Sequence, residues 1–366
     1  MRTLLLAASA ALALALPASA QEATPSSSEA LGQTTPSSSE ALGQTTPSSS
    51  EALGQTKTPA PAPSEIVAAA PKADWVAIPA EDLLVMTLAR DADGKPRQVV
   101  IQLMPAPFSQ GWVHNIRLFA RAGWYDGISV NRVQDNYVTQ WGDPNYDNPE
   151  ATGKPKPLPE GLKVMGEADY QTELGTRDLS RMRGGTRGDT YANNVAFRRG
   201  FPVGYRLNAV PAPGSRGSFT NLPTTAWPTH CYGMVGVGRN YSPDTGSGAE
   251  LYTVIGHAPR HLDRNIALVG RVIEGMQHLS SLPRGSGALG FYTAEEAAKR
   301  TPILSVRVAS DLPAAEQPSF EYLSTTSATF ATYAEAIANR RDPFFIVPAG
   351  GADICNIRVP VRRVAN

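Results

Sequence analysis

Residues 122–144 read Ala122-Gly123-Trp124-Tyr125-Asp126-Gly127-Ile128-Ser129-Val130-Asn131-Arg132-Val133-Gln134-Asp135-Asn136-Tyr137-Val138-Thr139-Gln140-Trp141-Gly142-Asp143-Pro144. Two short runs rich in β-branched and aromatic residues, Ile128 to Val133 and Tyr137 to Trp141, read as strands. Gly123, Gly127 and Gly142 serve the turns around them. Strand alternation places Arg132 on the face of Ile128 and Val130, away from Ser129, Asn131 and Val133.

Similar runs recur outward from this pair: Leu83 to Leu88, Val99 to Leu103, Met234 to Val237, Leu251 to Ile255, Ala267 to Val272 and Ile303 to Val308. The total of eight suits a closed all-β barrel with minor helices. Two helices are expected to cap it. Phe108, Trp112, Ile116 and Phe119 fall on one apolar stripe, and Ile273 to Leu282 sets Met276 and Leu279 on one face before Pro283 stops it. The Gly-, Pro- and Arg-rich interval of about 145–230 reads as a large loop insertion, with a hairpin around Val203 to Leu207. Residues 310–366 form an extension expected to pack on the barrel. It holds a helix capped by Ser327, with Phe330, Tyr333 and Ile337 on one face, and a β-like pair, Phe344 to Val347 and Ile354 to Val361.

The N-terminal end has a different character. Arg2, the apolar run Leu4 to Leu16 and the small residues of Pro17-Ala18-Ser19-Ala20 form a secretory signal over residues 1–20, with Gln21 expected to follow cleavage. That run is too short to span a bilayer, which takes roughly 20 residues, so no membrane span is expected. No cysteine follows the cleavage site to carry a lipid, which leaves a periplasmic or secreted location. An eleven-residue unit, Thr-Pro-Ser-Ser-Ser-Glu-Ala-Leu-Gly-Gln-Thr, then begins at Thr24, Thr35 and Thr46. It has too little apolar surface to offset its ordering entropy, so residues 21–72 read as a disordered tether and residues 73–309 as one elaborated domain.

Lys plus Arg and Asp plus Glu both number 33, and the basic residues are not clustered, which argues against a nucleic-acid partner. Cys231 and Cys355 are the two cysteines, and a disulfide between them and a pair of separate buried thiols both remain open. Gly285 to Gly290 spells Gly-x-Gly-x-x-Gly, but a Pro-terminated helix and not a strand precedes it, so it reads as a loop. The five histidines show no metal-ligand spacing. No cofactor or metal is expected, and the chain is expected to be a monomer.

The stretch from Ala122 to Pro144 resembles the central signature of the cyclophilins: a Tyr-Asp-Gly turn, a strand ending in Phe-His-Arg-Val, then Phe-x-x-Gln-Gly-Gly-Asp. Gly233 to Arg239 and Gly248-Ala249-Glu250-Leu251-Tyr252 resemble the family's Gly-x-Leu-Ser-Met-Ala-x and Gly-Ser-Gln-Phe-Phe segments. His261 to Asn265 and Gly270 to Met276 resemble its Leu-Asp-Gly-Lys-His and Phe-Gly-Arg-Val-x-x-Gly-Met. The likeness covers roughly residues 83–309 apart from the insertion. It implies an eight-stranded barrel and peptidyl-prolyl cis-trans isomerase activity on proline-containing, unfolded or partly folded exported polypeptides. The alternative it leaves is a proline-peptide binding module or chaperone with little catalysis.

Carried across position by position, the resemblance makes Arg132 the catalytic residue and gives Tyr137, Val138, Gln140, Tyr252 and Leu262 to the substrate pocket. Gly238, Arg239 and Glu250 fall where the family contacts the peptide backbone, and His261 where other members carry Trp, another aromatic or His. Asn131, Trp141 and Ile266 depart from the family's His, Gly and His. Such a reaction needs no nucleophile or proton shuttle. The prolyl amide resists rotation by about 18–20 kcal/mol because of resonance, and a donor that favours the localised nitrogen lone pair lowers that barrier. One charge-assisted hydrogen bond supplies about 1.5–3 kcal/mol, whereas a roughly 10⁴-fold acceleration needs about 5.4 kcal/mol, so the pocket walls must contribute as well.

Overall fold

The computed structural model of the protein describes residues 59–364 except 147–150, 176–181, 183–188 and 208–223. The signal segment and the repeats lie outside the described residues. The chain begins with α1 (Pro63–Ala68), β1 (Trp75–Ala77), β2 (Leu83–Leu88), β3 (Arg97–Leu103), α2 (Gln110–Arg121), β4 (Ser129–Val133) and β5 (Val138–Gly142). Next come β6 (Thr172–Leu174), β7 (Asn194–Arg198), β8 (Phe201–Leu207), β9 (Thr224–Pro228), β10 (Met234–Val237), β11 (Leu251–Val254), β12 (Leu268–Glu274) and α3 (Gln277–Ser280). The last are β13 (Ile303–Val308), β14 (Phe320–Leu323), α4 (Ala328–Ala338) and β15 (Val361–Arg363).

Eight strands pair antiparallel in the order β13-β2-β3-β12-β10-β11-β5-β4. The two end strands meet through Gly127 N–H to Ile303 O (2.9 Å) and Ile303 N–H to Ile128 O (2.8 Å), which closes the barrel. Period-two alternation sends Leu84, Met86, Val99 and Ile101 into the barrel core. Leu83, Val85 and Val100 go to the outer face, where Phe320 of the extension covers them. In α2, Trp112, Ile116 and Phe119 are fully buried in the barrel core, as their spacing predicts.

Several expectations are corrected. The interval 145–230 is not merely a loop with a hairpin. Its described part carries a four-stranded antiparallel sheet, β6-β9-β8-β7. The helix expected over Ile273 to Leu282 shrinks to the single turn α3, because β12 runs on through Glu274 and Gly275 follows at φ +84. A Cβ at Gly275 would lie 2.1 Å from the Gln98 carbonyl, so only glycine fits this turn. Phe344 to Val347 forms no strand, and Phe344, Ile346 and Val347 are exposed, while Ile354–Asn356 is a short 3₁₀ turn.

The stretch assigned to the tether ends too late, because α1 is ordered and packs Ile66 and Val67 into a second core. Trp75, Val195, Phe197, Trp227, Phe330 and Ile354 share that core, so the insertion and the extension bury apolar surface against each other. α4 forms as expected, with Ser327 Oγ accepting from Phe330 N–H at 3.0 Å. Cys231 and Cys355 are joined in a disulfide, with their Cα atoms 5.0 Å apart.

Candidate active site

A recess of about 200 Å³ opens where β4, β5 and β11 lie side by side and the chain leaving β10 passes them. Arg132 reaches it through a β-bulge. The register between β4 and β5 shifts between Val130 and Arg132, leaving Asn131 as the extra residue. Val130 and Val133 consequently both enter the barrel core, and Arg132 turns to the groove instead of sharing the face of Ile128 and Val130. The alternation argument fails at this one residue. Asn131 is buried and donates from Nδ2 to the Gly142 carbonyl (3.0 Å), which fixes the bulge.

The Arg132 guanidinium is held at three points: Nε donates to Leu289 O (2.7 Å), Nη1 to Gln140 Oε1 (3.1 Å) and Nη2 to Gln134 Oε1. Its carbon stands 5.6 Å from the Tyr137 ring centre and 5.5 Å from that of Phe291. Burial pulls its pKa below the usual arginine value, offset in part by the phenols of Tyr137 and Tyr252. A guanidinium so placed stays charged, fixed in orientation and partly desolvated.

Val138, Tyr252 and Val254 form a small apolar cluster with Tyr137 and Ile266. Leu262 adds to the same wall, while Gly238, Arg239 and Glu250 line the other side of the recess. Glycine at 236 is what admits the Tyr252 ring, since a Cβ there would stand 2.3 Å from its Cζ. Gln140 Nε2 donates to Glu250 Oε2 (3.4 Å), linking the two sides. His261 does not line the recess; it is exposed and stacks on Tyr137 with ring centres 6.4 Å apart. Trp141 faces the barrel interior and is 1% exposed, so this departure reshapes the core and leaves the groove open.

Leu289 and Phe291 were not foreseen as wall residues, although the Gly285 to Gly290 stretch is indeed a loop. It runs beside β4, with a bridge between Arg132 and Phe291, and carries Leu289 at φ 56. His230 was also missed. Fully buried, it accepts at Nε2 from the Tyr252 hydroxyl (2.8 Å) and donates from Nδ1 to Asp263 Oδ1 (2.9 Å). Asp263 in turn binds Arg260 Nε (2.6 Å), and Arg260 binds Asp189 (2.8 Å). Burial lowers the His230 pKa and holds Tyr252 well above the usual phenol range, which assigns a neutral imidazole and a protonated phenol.

Residues 98–308, more than half of the chain, match the family described as cyclophilin type peptidyl-prolyl cis-trans isomerase/CLD. The chain belongs to this family of isomerases. Among solved structures, the cyclophilin AquaCyp293 from Hirschia baltica superposes with a TM-score of 0.54 at 19% identity, over 79% of this chain and 93% of that one. A cyclophilin-type isomerase from Cryptosporidium parvum matches with a TM-score of 0.33 at 10% identity, over 62% of this chain and 96% of that one. The same protein in the presence of the dipeptide Ala-Pro gives 0.32 at 9%, over 61% and 97%. No curated protein matches the sequence. Within this cyclophilin, the barrel strands that carry the family signature are the ones that wall the recess.

Proposed function

We propose that Arg132 is the catalytic donor of this isomerase and that its substrates are proline-containing stretches of unfolded or partly folded exported polypeptides. The observation that carries the reading is the clamped guanidinium at the edge of an apolar recess. The recess wall of Val138, Tyr252 and Ile266 suits a pyrrolidine ring and excludes water. Arg132 then donates to the prolyl amide as the nitrogen loses conjugation. A donor fixed before the reaction needs no reorganisation as the bond twists, and partial burial strengthens its field. Gly238, Arg239 and Glu250 lie where the flanking peptide backbone would run. Export is supported by the signal-like residues 1–20 and by the Cys231–Cys355 disulfide, which suits an oxidising compartment.

The test is a protease-coupled isomerisation assay on a proline peptide, with variants matched for folding by circular dichroism. Arg132→Ala is expected to lower the rate by about one to two orders of magnitude, the equivalent of about 1.5–3 kcal/mol. Arg132→Lys should restore only part of that, because an ammonium lacks the planar fork. Equal rates in wild type and Arg132→Ala would overturn the assignment. Peptide affinity without any wild-type turnover would identify a binding module instead.

A further inference from the structure

Behind the apolar wall of the recess runs a chain of buried polar side chains that starts in the insertion. Asp189, just ahead of β7, accepts at Oδ2 from Arg260 Nη1 (2.8 Å) and at Oδ1 from Arg260 Nη2 (3.1 Å) and the Tyr191 N–H (2.9 Å). The Tyr191 ring centre stands 5.3 Å from the Arg260 guanidinium carbon, so the insertion grips this arginine with a forked ion pair and an aromatic face. The same guanidinium donates from Nε to Asp263 Oδ2 (2.6 Å), while Asp263 Oδ1 accepts from Nδ1 (2.9 Å) and the backbone N–H (2.8 Å) of His230. His230 Nε2 then receives the Tyr252 hydroxyl. The side chains of Asp189, Arg260 and Asp263 are each no more than 2% exposed.

This chain meets the recess at two places. Tyr252 is one wall residue, and Leu262 is another, standing between Arg260 and Asp263 on a single 3₁₀ turn. Ile266, a third, donates its N–H to the Leu262 carbonyl (3.2 Å) and so follows the same turn. Arg132 is held separately, by Leu289, Gln140 and Gln134, none of which belongs to the chain. Ionised groups taken out of water give little net stability over apolar side chains of the same volume. What they supply here is a fixed geometry, because one planar guanidinium sets the two carboxylates relative to each other.

We propose that Asp189 is a positioning residue of the isomerase: acting through Arg260, it fixes the wall of Tyr252, Leu262 and Ile266, so that the insertion sets which ring the recess accepts. This rests on the reading of the recess as the proline site. It assigns the fit of the ring to the insertion and leaves the donor role with Arg132.

The test is the preference for proline over pipecolic acid, whose ring is larger by one methylene, in otherwise identical peptides. It is read as a ratio of kcat/KM values and again as a ratio of Kd values, so it stands whether the recess catalyses or only binds. One methylene in a well-formed apolar pocket is worth about tenfold or more, and Asp189→Asn, which turns an amide donor against the guanidinium, should cut the wild-type ratio about threefold or more. Arg260→Lys keeps the charge but loses the fork, and should cut the ratio in the same way. A smaller folded fraction scales both peptides alike and leaves the ratio unmoved, so the protein lacking residues 21–72, which loses α1 and no recess residue, should keep the wild-type value. The Arg132 assignment is tested by absolute rates and this proposal by the ratio, so the failure of one is distinct from the failure of the other. A wild type that takes both rings equally, an unchanged ratio in either folded variant, or an equal fall in the truncated protein would each overturn the proposal.

Discussion

Tyr252 shows how much one hydroxyl can demand of its surroundings. The family resemblance places Phe at this wall position, and the added oxygen is met by His230, which is itself oriented by Asp263 and Arg260. Burial depresses the His230 pKa, against the opposing pull of Asp263. The unfolded chain, with an ordinary histidine near pH 6.5, therefore takes up the proton first as pH falls. The neutral imidazole contributes stability in full above about pH 6.5, and that contribution declines as pH falls from there through the lower folded-state value. The melting temperature should fall from pH 7.5 to pH 5 more steeply in wild type than in His230→Gln. Identical slopes would remove His230 from this role. Arg132, Gln140, Tyr252 and Leu262 were legible through the resemblance of the short segments that carry them, although the bulge at Asn131 turns Arg132 off the face that strand alternation gave it. His230 was not, since its value depends on Asp263, 33 positions away, and on burial that only the tertiary fold creates.

Among the elements, the barrel strands could be read because their alternation is regular and their apolar residues have two faces to fill. Of the insertion sheet only the hairpin around Val203 to Leu207 was read, since Pro202 and Pro228 lie within β8 and β9, where proline ordinarily marks a strand end or edge. Gly204 has a packing reason: a Cβ there would approach Trp227 Nε1 to 2.6 Å. The bulge at Asn131 was equally hidden, because a single extra residue leaves no mark on composition. α1 was lost inside a Pro/Ala-rich stretch, although Ile66 and Val67 bury against the second core. That distinction predicts two outcomes for truncation. Removing residues 21–58 should leave the melting temperature unchanged, whereas removing 21–72 should lower it by several degrees while isomerase activity persists at 25 °C, since no recess residue lies in α1. Scanning calorimetry of both truncations checks this, and an equal melting temperature for the two would return α1 to the tether.

At the scale of the whole molecule, the described chain has a barrel core that carries the site and a second core that binds the insertion to the extension. The Cys231–Cys355 disulfide stands between them: Cys231 is buried in the first, and Cys355 packs against both. It closes a loop of 124 positions, for which the chain-entropy model gives about 4–5 kcal/mol. All the recess residues fall between Arg132 and Phe291, so none comes from the extension that the bond secures. The Cys231→Ser/Cys355→Ser variant should thus melt several degrees lower than wild type, with protease cleavage appearing first in the extension. Its isomerisation rate at a temperature where both proteins remain folded should match wild type within about twofold, a difference of about 0.4 kcal/mol in barrier. A tenfold loss of rate in that folded variant would show that the extension holds the recess in its working shape through the second core, and that the two halves of the molecule are not separable in function.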